Sequence, residues 1–145
     1  MRAAGPEAAP RRDGKALRMG IQPWSSVKYQ DNREAPSTRV SVVMDPVPAG
    51  RLLIVEHLSG YAAIGQDDVV DEIWASDGGT QQVQLPVHFA SRPLNYGGGL
   101  GVARNHQFGS PVRLYVAGGA VITVSVDANT AGFVLAKVVG QLVDP

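Results

Sequence analysis

From Pro111 to Val143 the chain reads PVRLYVAGGAVITVSVDANTAGFVLAKVVGQLV, and its apolar residues recur at every second position. Val112, Leu114 and Val116 fall on one side, with Arg113, Tyr115 and Ala117 on the other. After Gly118-Gly119, Ala120, Ile122, Val124 and Val126 alternate with Val121, Thr123 and Ser125. A pleated backbone sends successive side chains to opposite faces, so a period of two means half-buried strands and rules out a helix. Gly118-Gly119 reads as a tight hairpin turn and Asp127-Ala128-Asn129-Thr130 as a second turn, with another strand from Ala131 to Val143.

The same rhythm runs upstream. Thr38–Met44 is predicted as a strand with Val40, Val42 and Met44 inward, and the prolines of Asp45–Gly50 force a turn after it. Arg51–Leu58 is apolar on both faces, which predicts a central strand. Val69–Ala75 is a further strand, and Gln82–Phe89 an edge strand, because Pro86 lacks the N–H that a central ladder needs. Trp24, Val27 and Tyr29 suggest a first short strand or an anchor. Ala90–Ser110, with Gly97-Gly98-Gly99, Gly101 and Gly109, reads as a long irregular stretch interrupted by a short strand around Leu100–Ala103. No segment reads as a helix. Roughly seven to nine short strands at intervals of about 8–12 residues predict an all-β fold, an antiparallel β-sandwich of jelly-roll type.

Residues 1–23 show no hydrophobic periodicity, and Arg2, Arg11, Arg12, Lys15 and Arg18 outnumber Glu7 and Asp13. They are expected to form a flexible or partner-bound N-terminal arm ahead of one sandwich domain, residues 24–145. No apolar run follows Arg11-Arg12, so no signal peptide is read there. Nothing approaches the ~20 apolar residues of a membrane-spanning helix. The expected location is the cytoplasm or a released particle.

With 13 basic and 13 acidic residues, the chain has no basic excess with which to neutralise phosphates, and no nucleic-acid partner is expected. Its lack of cysteine removes disulfides, thiol catalysis and cysteine-based zinc sites.

Val47-Pro48-Ala49-Gly50-Arg51-Leu52-Leu53-Ile54-Val55-Glu56-His57-Leu58-Ser59-Gly60 resembles a pattern in small bacterial β-sandwich proteins of unassigned function. In those proteins a Pro-Ala-Gly turn leads into an apolar strand. Ser110-Pro111-Val112-Arg113-Leu114-Tyr115 and the closing Val138–Asp144 are similar to theirs as well. The resemblance spans roughly residues 40–145, implies a shared sandwich, and brings no activity with it.

The near-neutral acid–base candidates are His57, His88 and His106. Glu56 and His57 are expected on opposite faces, and the His-x-His spacing of a cupin-type metal site is missing, so neither a catalytic nor a metal residue is assigned. Asp67, Asp68, Asp71 and Glu72 form an acidic turn with oxygen ligands of the kind calcium takes, but without EF-hand spacing. Gly97–Gly101 has no Lys-Ser/Thr after it and is read as turn geometry or close chain approach, not a phosphate loop. No cofactor is expected. Tyr96 with Asn95 in the Gly-rich stretch, and Trp74, assigned to core or interface, are the candidate ligand contacts, of a kind suited to stacking on a sugar.

These readings predict a non-catalytic structural or interaction module, oligomeric or part of a larger assembly such as a particle or virion surface. Its expected partner is another protein or its own copies, engaged through the arm. A carbohydrate-binding module is the second reading, and a cupin-like metal-dependent enzyme the third.

Overall fold

The computed structural model describes residues 20–145, so residues 1–19 of the arm expected at 1–23 lie outside the described part. Among the described residues, nine strands form one antiparallel sheet: β1 (Ile21–Asp31), β2 (Ser37–Val43), β3 (Leu52–Gly65), β4 (Val70–Ser76), β5 (Gln82–Gln84), β6 (Val87–Ala90), β7 (Leu94–Asn95), β8 (Val102–Ala117) and β9 (Thr123–Val143). The all-β antiparallel expectation holds. Ile21, Gln22 and Pro23, placed by the sequence in the arm, already belong to β1.

The 21-residue β9 is the spine. At about 3.4 Å per residue it would be about 70 Å long if straight, against a radius of gyration of about 15 Å for a domain this size. It therefore has to bend, and it does so around Gly132, where the register against β3 skips from Ala63↔Phe133 to Ile64↔Ala131. Along one side of β9 run β1 and then β2; along the other run β3 and then β4. The flanking chains break at residues 32–36 and 66–69, level with the bend, while β9 passes through unbroken. The sheet curls there into a half-barrel whose two halves face each other across one core. Val40, Val42, Ile73, Ala75, Val124 and Val126 come from one half, and Leu53, Val55, Leu58, Phe108, Val116 and Val138 from the other.

The free edges of the curled sheet are drawn together by one segment. β5 pairs with β4, and β6 pairs with β8 at the far end of the strand order, yet only Leu85-Pro86 separates them. The Leu85 N–H donates to Ile73 O at 2.8 Å and the Gly109 N–H to Pro86 O at 3.3 Å. Gln81 reinforces this seam: its side-chain amide accepts from the Tyr115 N–H at 2.9 Å and donates to the Tyr115 carbonyl, as a strand residue would. The edge position expected from Pro86 is found, as an edge strand split in two.

Three sequence expectations are corrected. Asp127–Thr130 is not a turn, because β9 runs through it. Gly118-Gly119 does not close a hairpin: β3 lies between β8 and β9, and pairs with both. Gly118 instead packs against the Pro48–Arg51 turn, where a Cβ would sit 2.9 Å from Pro48 O. Finally, residues 102–110 belong to β8, leaving only 91–101 irregular apart from the two-residue β7.

Candidate functional site

On the convex face of β1, β9 and β3, three aromatic side chains meet. Tyr29 and Tyr61 both lie opposite Leu135, one on each side of β9, and Phe133 is two residues away on the same face. Such diagonal neighbours are within reach of aromatic rings. The Tyr29 and Phe133 ring centroids are 5.7 Å apart with planes 16° apart, and Tyr61 and Phe133 are 5.8 Å apart with planes 21° apart. The three rings form one overlapping row with Phe133 in the middle. The Arg33 guanidinium lies 5.7 Å from the Phe133 centroid.

Arg33 is held by a fork onto Asp31, Nε–Oδ1 at 2.9 Å and Nη2–Oδ2 at 2.6 Å, and the same carboxylate accepts the Arg33 backbone N–H. These bonds hold the Asp31 carboxyl below its usual range. Tyr96 sits beside the row, packed with Phe133 against Ala63, Leu100 and Ala103. Its hydroxyl donates to Asn105 Oδ1, and burial raises its pKa.

The glycines near Tyr96 make this packing possible. Gly97, Gly98 and Gly101 have φ of 69°, 57° and 62°, and a Cβ on Gly99 would sit 2.5 Å from Glu34 O. The Leu100 N–H donates to Arg33 O at 2.9 Å, so the loop is fastened to the segment carrying Arg33. Both roles expected for these glycines, turn geometry and close approach, are present. Asn95 serves the same turn: its side-chain oxygen accepts the Gly97 N–H at 2.9 Å.

Trp74 is elsewhere. It lies on β4 opposite Ser125, on the order of 25 Å of strand from Phe133. Its ring is covered by Arg39, 5.5 Å from the centroid, and lies on the outer face, so of the two placements expected for it, core or interface, the core is corrected. Tyr96 and Asn95 are thus together, and Trp74 is not with them.

The histidines are distributed across faces. A bulge between Val55 and His57 leaves Glu56 and His57 both exposed, while Leu53, Val55 and Leu58 point inward; the expected opposition of Glu56 and His57 is corrected. His57 lines a groove of about 470 Å³ with Ser59, Tyr61, His88 and Gln107, and the His88 Nε2 lies 2.6 Å from Gly109 O. His106 lies on the concave side of β8, opposite Ala62, its Nε2 buried without a partner among the described residues. Burial, and secondarily Arg104, lower its pKa. The acidic turn is split: Asp67 and Asp68 line one hollow with Asn129 and Thr130, while Asp71 and Glu72 line another with Gln84. Among the described residues, no group of three or more His, Asp or Glu side chains is placed to hold a metal ion.

The aromatic row escapes a linear reading because its members come from three strands far apart in sequence. The available signal is Phe133, an outward-phase aromatic in a run whose inward phase is Val134, Ala136 and Val138.

No family model, curated protein or solved structure matches the chain.

Proposed function

We propose that this chain is a non-catalytic structural module that associates with copies of itself, a building block of a larger assembly such as a particle or virion surface. The observation carrying this reading is the convex face of β1–β9–β3–β8. Ile21, Val27, Tyr29 and Tyr115 are 69%, 54%, 67% and 49% exposed there, with half-buried Leu52, Ile54, Leu135, Val139 and Val143 among them. Apolar groups gathered on one face in this way, around the exposed Lys137 opposite Val27, are characteristic of an interaction surface. The neutral net charge adds no long-range repulsion between copies. Size-exclusion chromatography with light scattering tests it: a mass above that of one 15.3 kDa chain, rising with concentration, is expected, and a constant monomer mass overturns it.

A second reading, carbohydrate binding, is favoured by the row Tyr29–Phe133–Tyr61 with Arg33 and the Tyr96–Asn105 pair at its border. Aromatic faces take the C–H faces of sugars, and the polar border supplies donors and acceptors. It predicts glycan-array signal that is lost on Phe133→Ala; an array at background removes it.

A further inference from the structure

We propose that a trough crossing β3, β8 and β6 on the convex face binds a neutral mono- or disaccharide, with a sugar ring laid against Tyr61. This goes beyond self-association and gives the carbohydrate reading, on which it rests, a site beside the aromatic row. The register of β3 against β8 builds the trough. Tyr61 lies opposite Gln107, Ser59 opposite Gly109 and His57 opposite Pro111. Residues two apart share a face, so these pairs are three successive rows across one face. A Cβ on Gly109 would point onto that face, 3.2 Å from the Cβ of Ser59. The middle row, serine and glycine, is low, and the rows on either side of it carry larger side chains. The result is the groove of about 470 Å³ already described, to which β6 contributes His88. Crossing three strands makes it about 10 Å long.

Tyr61 supplies the apolar wall. One face of its ring is stacked on Phe133 of β9, and β8 lies on the other side of β3, so the second face turns toward the trough. Phe133 has Tyr29 on one side and Tyr61 on the other, and it backs this wall. The bulge between Val55 and His57 turns His57 outward, onto the same trough. The His88 Nε2 is 2.6 Å from Gly109 O; a carbonyl only accepts, so in the neutral ring Nε2 carries the proton and Nδ1 is left as an acceptor. Among the described residues, the side chains of His57, Ser59, Tyr61 and Gln107 make no hydrogen bond within the chain, so their donors and acceptors are available to a ligand. Among the same residues, no Asp, Glu, Lys or Arg lines the trough. An aromatic face beside uncharged donors and acceptors suits a molecule with a C–H face and a rim of hydroxyls, which is a neutral sugar. It gives a phosphate or a carboxylate no lysine or arginine to pair with.

The test is an array of glucose, galactose, mannose, N-acetylglucosamine and their disaccharides, with sialylated and sulfated glycans beside them. Binding to the neutral members is expected. Titration calorimetry with the strongest of them is expected to show the dissociation constant raised on the order of tenfold by Gln107→Ala and by His57→Ala, since each removes hydrogen bonds to the sugar. Both residues are exposed, so the circular dichroism of the variants is expected to match that of the wild-type chain. Sugar binding that is lost on Phe133→Ala but unchanged in Gln107→Ala and His57→Ala overturns the trough and leaves the carbohydrate reading standing. A preference for the sialylated or sulfated glycans overturns the neutral class. An array at background overturns both the trough and the carbohydrate reading.

Discussion

Arg39 and Asp127 face each other across β2 and β9 in a two-pronged ion pair, Nε–Oδ1 at 2.6 Å and Nη2–Oδ2 at 2.8 Å, and the same guanidinium covers the ring of Trp74 on β4. One side chain thus ties three adjacent strands on the convex side of the half-barrel. Arg39→Ala is expected to expose the indole and shift tryptophan emission to the red, with only a small fall in melting temperature, because the arginine is 57% exposed. Arg39→Lys is expected to behave nearly as badly, since an ammonium lacks the planar fork. Unchanged emission in Arg39→Ala would contradict the stacking.

The face opposite the core is itself covered in this half. Val124 and the neighbouring Ser125 are 0% and 2% exposed, and the Ser125 hydroxyl is 2.8 Å from that of Ser41. Val124→Asp buries a lone charge and is expected to prevent folding. Ser125→Asp, which alternation alone marks as mild, is expected to cost about 2–3 kcal/mol in urea denaturation, because it desolvates a carboxylate beside Trp74. A cost near zero would mean that this face is open.

Alternation made the inward phase of Val40, Val42, Val124 and Val126 readable, and with it the fold class, whereas Arg51–Leu58, apolar on both faces, left the inward side of Leu53 and Val55 open. It carries no information about which strand lies beside which. The placement of β3 between β8 and β9 is a long-range pairing, so Gly118-Gly119 looks like a hairpin turn when it is a crossing. Asp127 and Asn129 carry turn chemistry but lie in β9, where Asp127 is consumed by Arg39 from another strand. The bulge at Glu56 shifts the phase of β3 and misassigns the face of His57. At the candidate site, Tyr96 and Asn95 were readable as a pair in a glycine-rich segment, whereas Tyr29, Phe133 and Tyr61 become neighbours only once β9 is flanked by β1 and β3.

Gly60 has no room for a side chain: a Cβ would collide with the Leu135 carbonyl and come within 2.7 Å of the Phe108 ring. Gly60→Ala is expected to destabilise by about 3 kcal/mol or more, and Phe108→Leu in the same chain should not rescue it, since the Leu135 obstacle is backbone. Gly50→Ala is the contrast, at φ 74° with open space around it, and should cost about 1 kcal/mol. Equal melting temperatures for the two variants would contradict the packing.

His106 titrates lower in the fold than its ordinary value because it is buried, so the unfolded chain binds its proton first. Stability is therefore unaffected above the unfolded value of about 6.5 and falls as pH drops below it. His106→Gln is expected to flatten that slope below about pH 6.5. An identical pH profile for the variant would contradict this role. At lower pH a separate loss follows, since the carboxyls of Asp127 and Asp45, paired with Arg39 and Lys28, are held below their usual range, and their contribution disappears as they protonate.

Sedimentation velocity of the full chain over a range of concentrations, beside Tyr29→Glu, tests most directly whether the convex face joins one molecule to another. The wild-type chain is expected to sediment faster as concentration rises, while the variant, with a charge at a position 67% exposed, stays at the monomer value. A wild-type chain at the monomer value at every concentration would contradict the account.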